Sequence, residues 1–366
     1  MRPGRAIVPA LLALVSLAGA ATADARPVTT KKAIWGPLTL NGASAFKTYE
    51  QLGAGIYETA INWRATAPRR PSRPGDPADP AYRWPTSVDT AVHEARRHGM
   101  QVMVMLIFSP AWANGGHPEN WAPDHPRDLA RFAKAAARRY PGVHRWMIWG
   151  EPTRQPNFMP LTPAIRTGPL TSRQKHAPER YARMLDASYG ALKRVRRSNV
   201  VIGGNSYTTG DISPRNWIRA MRMPNGKRPR MDMYGHNPFT NRRPDETNPL
   251  FRPGQPDISN LRTLTRWLDR DGYRDRRGRK LKLFLSEWLV PTDHRNREFN
   301  FYVLRSVQAD WVTAALKIVR RSPRIATLGW YSLLDDPPAP DGLEVARGLM
   351  EADGTPKPAF YAFRDG

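Results

Sequence analysis

The sequence contains no cysteine. That absence excludes disulfides, thiolate metal sites, a thiol nucleophile and a lipid-modified N-terminal cysteine. Histidine is sparse as well. The eight present are scattered, with no His-Glu-x-x-His and no cluster of metal ligands, so neither a catalytic metal nor a cofactor is expected. No Gly-x-Gly-x-x-Gly and no P-loop occurs, which counts against a doubly wound nucleotide-binding sheet. Past the first 25 residues no apolar run is long enough to span a bilayer. Acidic residues are the remaining shortage: 32 Asp and Glu face 57 Lys and Arg in 366 residues, a formal net charge of +25. With 40% hydrophobic and 24% charged residues the balance is still that of a globular protein, not a disordered one.

The N-terminus changes what the charge means. Arg2 and Arg5 precede an apolar, small-residue stretch from Ala6 to Ala21, and Ala23-Asp24-Ala25 fits a small-x-small cleavage pattern. Residues 1–25 therefore read as a secretory signal, with residues 26–366 as one catalytic domain. The alternative, a retained anchor, is disfavoured by the short stretch and by Pro9. Cleavage removes two arginines and one aspartate and leaves a net charge of about +24. Arginine far outnumbers lysine, a compositional bias that weakens any functional reading of the charge. In an exported protein the charge does not point to nucleic acid; at most it points to an acidic glycan or an anionic envelope.

Strand-like and helix-like runs alternate along the whole chain. Strands are expected near 34–40, 55–62, 101–108, 145–149, 200–203, 231–236, 282–287 and 325–332. Helices are expected at 45–52, 88–98, 128–140, 179–197, 214–221, 258–271 and 298–321. Gln101–Phe108 is almost wholly apolar, the mark of a strand buried on both faces. Strict alternation means parallel strands with helical crossovers, and eight such units fit a single (β/α)8 TIM barrel. The Pro-rich stretch Ala65–Pro85, and the segments 114–126 and 152–178, are expected as long loops on the C-terminal face.

Two glutamates end apolar strands in this pattern. Glu151 closes the fourth, in Trp146-Met147-Ile148-Trp149-Gly150-Glu151-Pro152, and Glu287 closes the seventh, in Leu283-Phe284-Leu285-Ser286-Glu287-Trp288. Either motif alone is an ordinary loop start. Together, on strands that face each other across a barrel mouth, they can perform glycoside chemistry, one carboxyl donating a proton and the other attacking carbon.

With these runs, and with Phe108-Ser109-Pro110-Ala111-Trp112-Ala113, Gly329-Trp330-Tyr331 and the closing stretch Gly348–Tyr361, the sequence resembles glycoside hydrolase clan A, in the manner of its family 39 and family 5 relatives. The resemblance implies a retaining β-glycosidase acting on a polysaccharide or oligosaccharide, with Glu151 as acid/base and Glu287 as nucleophile. It implies Trp330 as an apolar floor for the reacting sugar, and Tyr234 or His236 bonded to the nucleophile or the adjoining sugar. Tryptophan suits sugar faces and is plentiful, with 12 in the chain; Trp63 and Trp112 lie near strand ends. One position departs from the clan. Its usual asparagine before the acid/base, which bonds the sugar 2-hydroxyl, is Gly150 here. Asn205, or Asn62-Trp63-Arg64, could substitute, and Arg64 could support the nucleophile electrostatically. The expected partner is a carbohydrate, acidic or neutral, bound by a monomer. The competing readings are a non-hydrolytic carbohydrate-binding barrel and a polyanion-binding envelope protein. Asp335-Asp336 is expected to be solvated, as is the charged turn at 270–282.

Overall fold

A computed structural model describes residues 27–166, 168–246 and 253–366. The expected signal segment lies outside the described residues. Eight parallel strands close into a barrel. They are β1 (Thr29–Ile34), β2 (Ala54–Asn62), β3 (Gln101–Ile107), β4 (Arg145–Ile148), β5 (Val200–Tyr207), β6 (Met233–Asn237), β7 (Lys282–Trp288) and β8 (Ile325–Trp330). Each pairs with its sequence neighbours, and β1 closes the ring against β8 through Lys32–Leu328, Ala33–Gly329 and Ile34–Trp330. The crossovers are α1 (Phe46–Gln51), α2 (Thr86–Arg97), α3 (Pro126–Arg139), α4 (Ser172–Val195), α5 (Pro214–Ala220), α6 (Leu261–Arg270) and α7 (Arg305–Arg321), with α8 (Pro358–Asp365) following β8. The predicted (β/α)8 barrel is thus the observed fold.

Strand alternation divides the core in two. Ala33, Ile56, Met103, Met105, Met147, Ile202 and Phe284 fill the barrel interior. Their neighbours in sequence, including Val104, Trp146, Leu283 and Leu285, point outward and pack under the helices. The C-terminal strand ends and their loops form the mouth above the inner core.

Several boundaries differ from expectation, and three of them have a clear local reason. The first strand ends where it was expected to begin. Residues 39–44 instead make a tiny hairpin around Asn41 (φ 49°) and Gly42 (φ 79°), the left-handed pair that an Asn-Gly turn supplies. α4 starts seven residues earlier than Glu179, because Thr171 and Gln174 form a reciprocal capping box ahead of it. α7 starts later than Glu298, because Asn296 Oδ1 accepts from the N–H groups of Glu298 (3.1 Å) and Phe299 (2.7 Å). That local turn competes with the helix. The Pro-rich stretch is a built loop on the mouth side. Buried Asp79 accepts from the N–H groups of Arg73 (2.6 Å) and Ala81 (2.9 Å), and Tyr82 donates to the Pro74 carbonyl (2.6 Å).

Candidate active site

Glu151 follows β4 on a chain that has left extended geometry. Trp149 (φ 69°) and Glu151 (φ 41°) both lie in the left-handed region. The turn folds the next residues back over the carboxyl. Arg154 Nη1 donates to Oε2 (2.8 Å), as does Asn157 Nδ2 (3.1 Å), while Asn237 Nδ2 donates to Oε1 (2.8 Å). Both oxygens are therefore occupied by donors, one of them a cation. The Glu151 side chain is only 8% exposed, whereas Arg154 is 40% exposed and lies over the Tyr207 ring at 4.6 Å.

Glu287 reaches the mouth from β7, on the opposite wall. Its backbone N–H donates to Asn237 Oδ1 (3.2 Å). Asn237 thus has its amide between the two glutamates, with its nitrogen on one and its oxygen against the backbone of the other. Among the described residues no side chain donates a hydrogen bond to the Glu287 carboxyl. Burial, then the neighbouring Glu151 charge, push its pKa well above the ordinary carboxylate range. The nearest cations are engaged elsewhere: Arg154 with Glu151, and Arg347 with Asp336 (2.6 Å) and Glu298 (3.0 Å).

A third carboxyl lies beneath. Glu58, pointing inward from β2, is fully buried, and Ser286 Oγ donates to its Oε2 (2.6 Å). Among the described residues its Oε1 has no partner and no cation pairs with it, and burial pushes its pKa well above the ordinary carboxylate range. Aromatic walls flank the glutamates. Tyr331 follows β8 and meets Trp35 edge-on at 5.9 Å, and the indole N–H of Trp35 donates to the Ser286 carbonyl (3.1 Å). The Tyr331 hydroxyl is raised by burial and then by Glu287, which places the two close together.

The predicted pair, Glu151 and Glu287, is thus brought to one mouth. The aromatic assignments need correction. Trp330 is 1% exposed and packs edge-on against Trp288 (5.5 Å) and against Phe363 of α8 (6.5 Å). It points outward under the helices, so it offers no floor for a sugar; Tyr331, one residue on, faces the mouth. Tyr234 and His236 also point outward by strand alternation. Tyr234 donates to Ser206 Oγ (3.0 Å). His236 Nε2 donates to the Pro256 carbonyl (2.9 Å), its Nδ1 accepts from Ser206 (2.9 Å), and burial lowers it to about 4, leaving it neutral. Neither touches a glutamate. The residue on β6 that does is Asn237, whose inward parity was the available signal.

Trp63 is 1% exposed and stacks on Phe132 at 5.5 Å, so it belongs to the shell between strands and helices. Trp112 is half-buried, donates to the Ala67 carbonyl (2.8 Å) and carries Arg70 over its ring (4.7 Å). Arg64 is exposed, with no partner among the described residues. Asn205 is buried, its Nδ2 3.5 Å from the Trp149 carbonyl and its Oδ1 unpartnered. None of these four hydrogen-bonds or ion-pairs with either glutamate. Of the two aspartates expected to be solvated, Asp335 is largely buried against Lys357 (2.9 Å), whereas Asp336 is 39% exposed and pairs with Arg347. Gly150 has a packing reason. A Cβ there would stand 2.8 Å from Met105 Sδ and 3.0 Å from Ile107 Cδ1, so side chains from β3 occupy the space that an asparagine would need.

No family model matches the chain, and no curated protein matches its sequence. Solved structures do match its fold. A family 39 glycoside hydrolase from the gut symbiont Bacteroides cellulosilyticus WH2 superposes with a TM-score of 0.65 at 16% identity, over 92% of this chain and 63% of that one. A monomeric β-xylosidase from Caulobacter crescentus CB15 gives 0.62 at 16%, over 92% and 68%. A glucosidase from Croceicoccus marinus gives 0.61 at 14%, over 92% and 67%. The chain spans about two thirds of the length of these proteins, and at such identities the likeness is one of fold. What is shared is the (β/α)8 barrel.

Proposed function

We propose that this protein is an exported retaining β-glycosidase that hydrolyses O-glycosidic bonds of a polysaccharide or oligosaccharide. The observation that carries the reading is the pair of glutamates ending β4 and β7, linked through the Asn237 amide in an aromatic-walled mouth. The barrel's likeness to family 39 enzymes supports it, and the small-residue apolar N-terminal run supports export.

In the first step the Glu287 carboxylate attacks the anomeric carbon. The glycosidic C–O bond breaks, and Glu151 gives its proton to the departing oxygen. In the second, Glu151 takes a proton from water, whose oxygen attacks the same carbon and releases Glu287. Configuration is retained because carbon is inverted twice. Retention also calls for the two carboxyl groups to stand about 5–5.5 Å apart in the substrate complex; about 6.5–9.5 Å belongs to inversion.

The test uses protein lacking residues 1–25, a panel of aryl β-glycosides and soluble β-glycans, and NMR of the first-formed anomer. Turnover with retained configuration is expected, falling by at least about 1,000-fold in Glu287→Ala. Inverted product, or activity surviving that substitution, overturns the reading. Glycan binding without turnover, indifferent to Glu151→Gln, would instead favour a non-hydrolytic carbohydrate-binding barrel. The observation on that side is that Arg154 pairs with Glu151, the group that must hold the proton.

A further inference from the structure

The protonation pattern around the two glutamates is the reverse of what the first chemical step needs. A general acid must carry a proton on an oxygen aimed at the leaving group. Glu151 has both oxygens filled by donors, including a guanidinium, and so offers neither oxygen to a leaving group. A nucleophile must be ionised. Glu287 has no donor on its carboxyl and no free cation beside it, and it faces the Glu151 charge. Burial and the Glu151 charge favour the proton on Glu287, while the donors around Glu151 leave no room for one there. Moving Arg154 away from Glu151 would correct this without adding or removing a proton, since the proton on Glu287 could then transfer to Glu151.

Arg154 is placed to be moved. Its side chain is 40% exposed against 8% for Glu151, and among the described residues Nη1 alone of its guanidinium nitrogens hydrogen-bonds to protein, leaving the rest of the donor fork open. It rides on the Tyr207 ring, and Tyr207 also lines a cavity of about 620 Å³ walled by Phe239, Phe299 and Phe301. Through Tyr207 this cavity adjoins Arg154, which in turn touches Glu151. The other charged groups nearby do not compete for the same role. Asp211 accepts from the Gln155 N–H (2.8 Å), and Arg347 is held by Asp336 and Glu298.

We propose that Arg154 is a carboxylate receptor on the leaving-group side of the cleft, and that an acidic substrate, by taking its guanidinium, frees Glu151 to hold the catalytic proton. Arg154 is then a positioning residue that selects glycans bearing a uronate or other carboxylate next to the scissile bond. The inference rests on Glu151 being the acid/base. It also gives the basic chain a reason for one of its arginines at the mouth.

The experiment compares aryl β-glycosides whose phenol carries a carboxymethyl group with their methyl esters, which leave with nearly the same basicity but no charge. Wild type is expected to favour the acid over the ester in kcat/KM by about 10- to 100-fold, the equivalent of one charge-assisted hydrogen bond. The ester's pH profile should show the acid limb displaced relative to the acid's. Arg154→Gln is expected to erase the preference, and Arg154→Lys to restore part of it. Binding of unreactive oligogalacturonate, measured by calorimetry on wild type and Arg154→Gln, separates the two readings. Arg154-dependent binding with no turnover of any glycoside sinks the hydrolase reading and leaves the receptor standing. Equal use of acid and ester, or a preference that survives Arg154→Gln, overturns the receptor.

Discussion

The ends of β4 and β7 carry the same side chain on opposite walls of one mouth, in opposite surroundings. Glu151 lies in a turn whose own next residues, Arg154 and Asn157, fold back onto its Oε2, leaving Oε1 to Asn237 of β6. Its cationic partner lies three residues further along the chain. Glu287 receives nothing from its own segment. Its setting comes from distant parts of the sequence: the Glu151 charge across the mouth, Asn237 on β6, and Glu58 of β2 below. One carboxyl is controlled locally and can be altered by one ligand contact. The other is controlled by the barrel as a whole. Such a division lets a single event at the exposed wall redistribute one proton across the pair.

Asn237 is the point where the two regimes meet, and replacing it should have the largest effect of the three tests proposed here. Asn237→Ala removes a hydrogen bond to the Glu151 carboxylate and the acceptor for the Glu287 N–H. Losing a hydrogen bond to a charged group should lower kcat by about 10- to 100-fold with little change in KM. The pH profile should also change shape, because the link between the carboxyls is cut. A variant with wild-type kcat and profile would mean that the two glutamates work independently, and the comparison would lose its centre.

The second test is one of sign. Glu287 is a half-buried carboxyl raised above its ordinary range, and such a group keeps its proton to higher pH than in the unfolded chain. Stability therefore falls as pH rises from the ordinary carboxylate pKa through the raised one. Glu287→Gln removes that penalty. It should stabilise the protein above neutral pH, by about 1–3 kcal/mol, and change little near pH 4. Glu151→Gln deprives Arg154 of its partner and should be mildly destabilising at neutral pH, by about 1 kcal/mol, since Arg154 is partly solvated. Thermal melts of both variants across pH check the pair. Two shifts of the same sign would show that the carboxyls share one environment after all.

What could be read in the sequence follows the same division. The barrel was legible because each strand is a continuous apolar run and each helix a periodic one, and the two glutamates stood out as charges ending such runs. The misassignments came from orientation. Trp330, Tyr234 and His236 are at the right strand ends but face outward, and strand parity alone would have moved the choice to Tyr331 and Asn237. Trp149 shows why parity is not always enough: its left-handed backbone turns it out of the mouth into contact with Phe158 at 5.4 Å. Arg154 was invisible for another reason. Nothing in Glu151-Pro152-Thr153-Arg154 says that the chain will fold back over its own carboxylate.

Gly150 offers the smallest effect and the finest control on the β4 wall. Its backbone is not in the left-handed region, so other residues are conformationally allowed, and only space opposes them. The nearest atoms are the ends of flexible side chains, Met105 and Ile107. Gly150→Asn should therefore cost about 1 kcal/mol, at the low end of overpacking penalties, as the methionine swings aside. Met105→Ala opens the space at the price of a cavity when made alone. In that background the asparagine should cost less, and the coupling measured by the double-mutant cycle should be favourable. If the asparagine costs the same in both backgrounds, Met105 is not what crowds this wall. If it costs nothing in either, the wall was never full, and the mouth beside Glu151 is as open as the mouth beside Glu287.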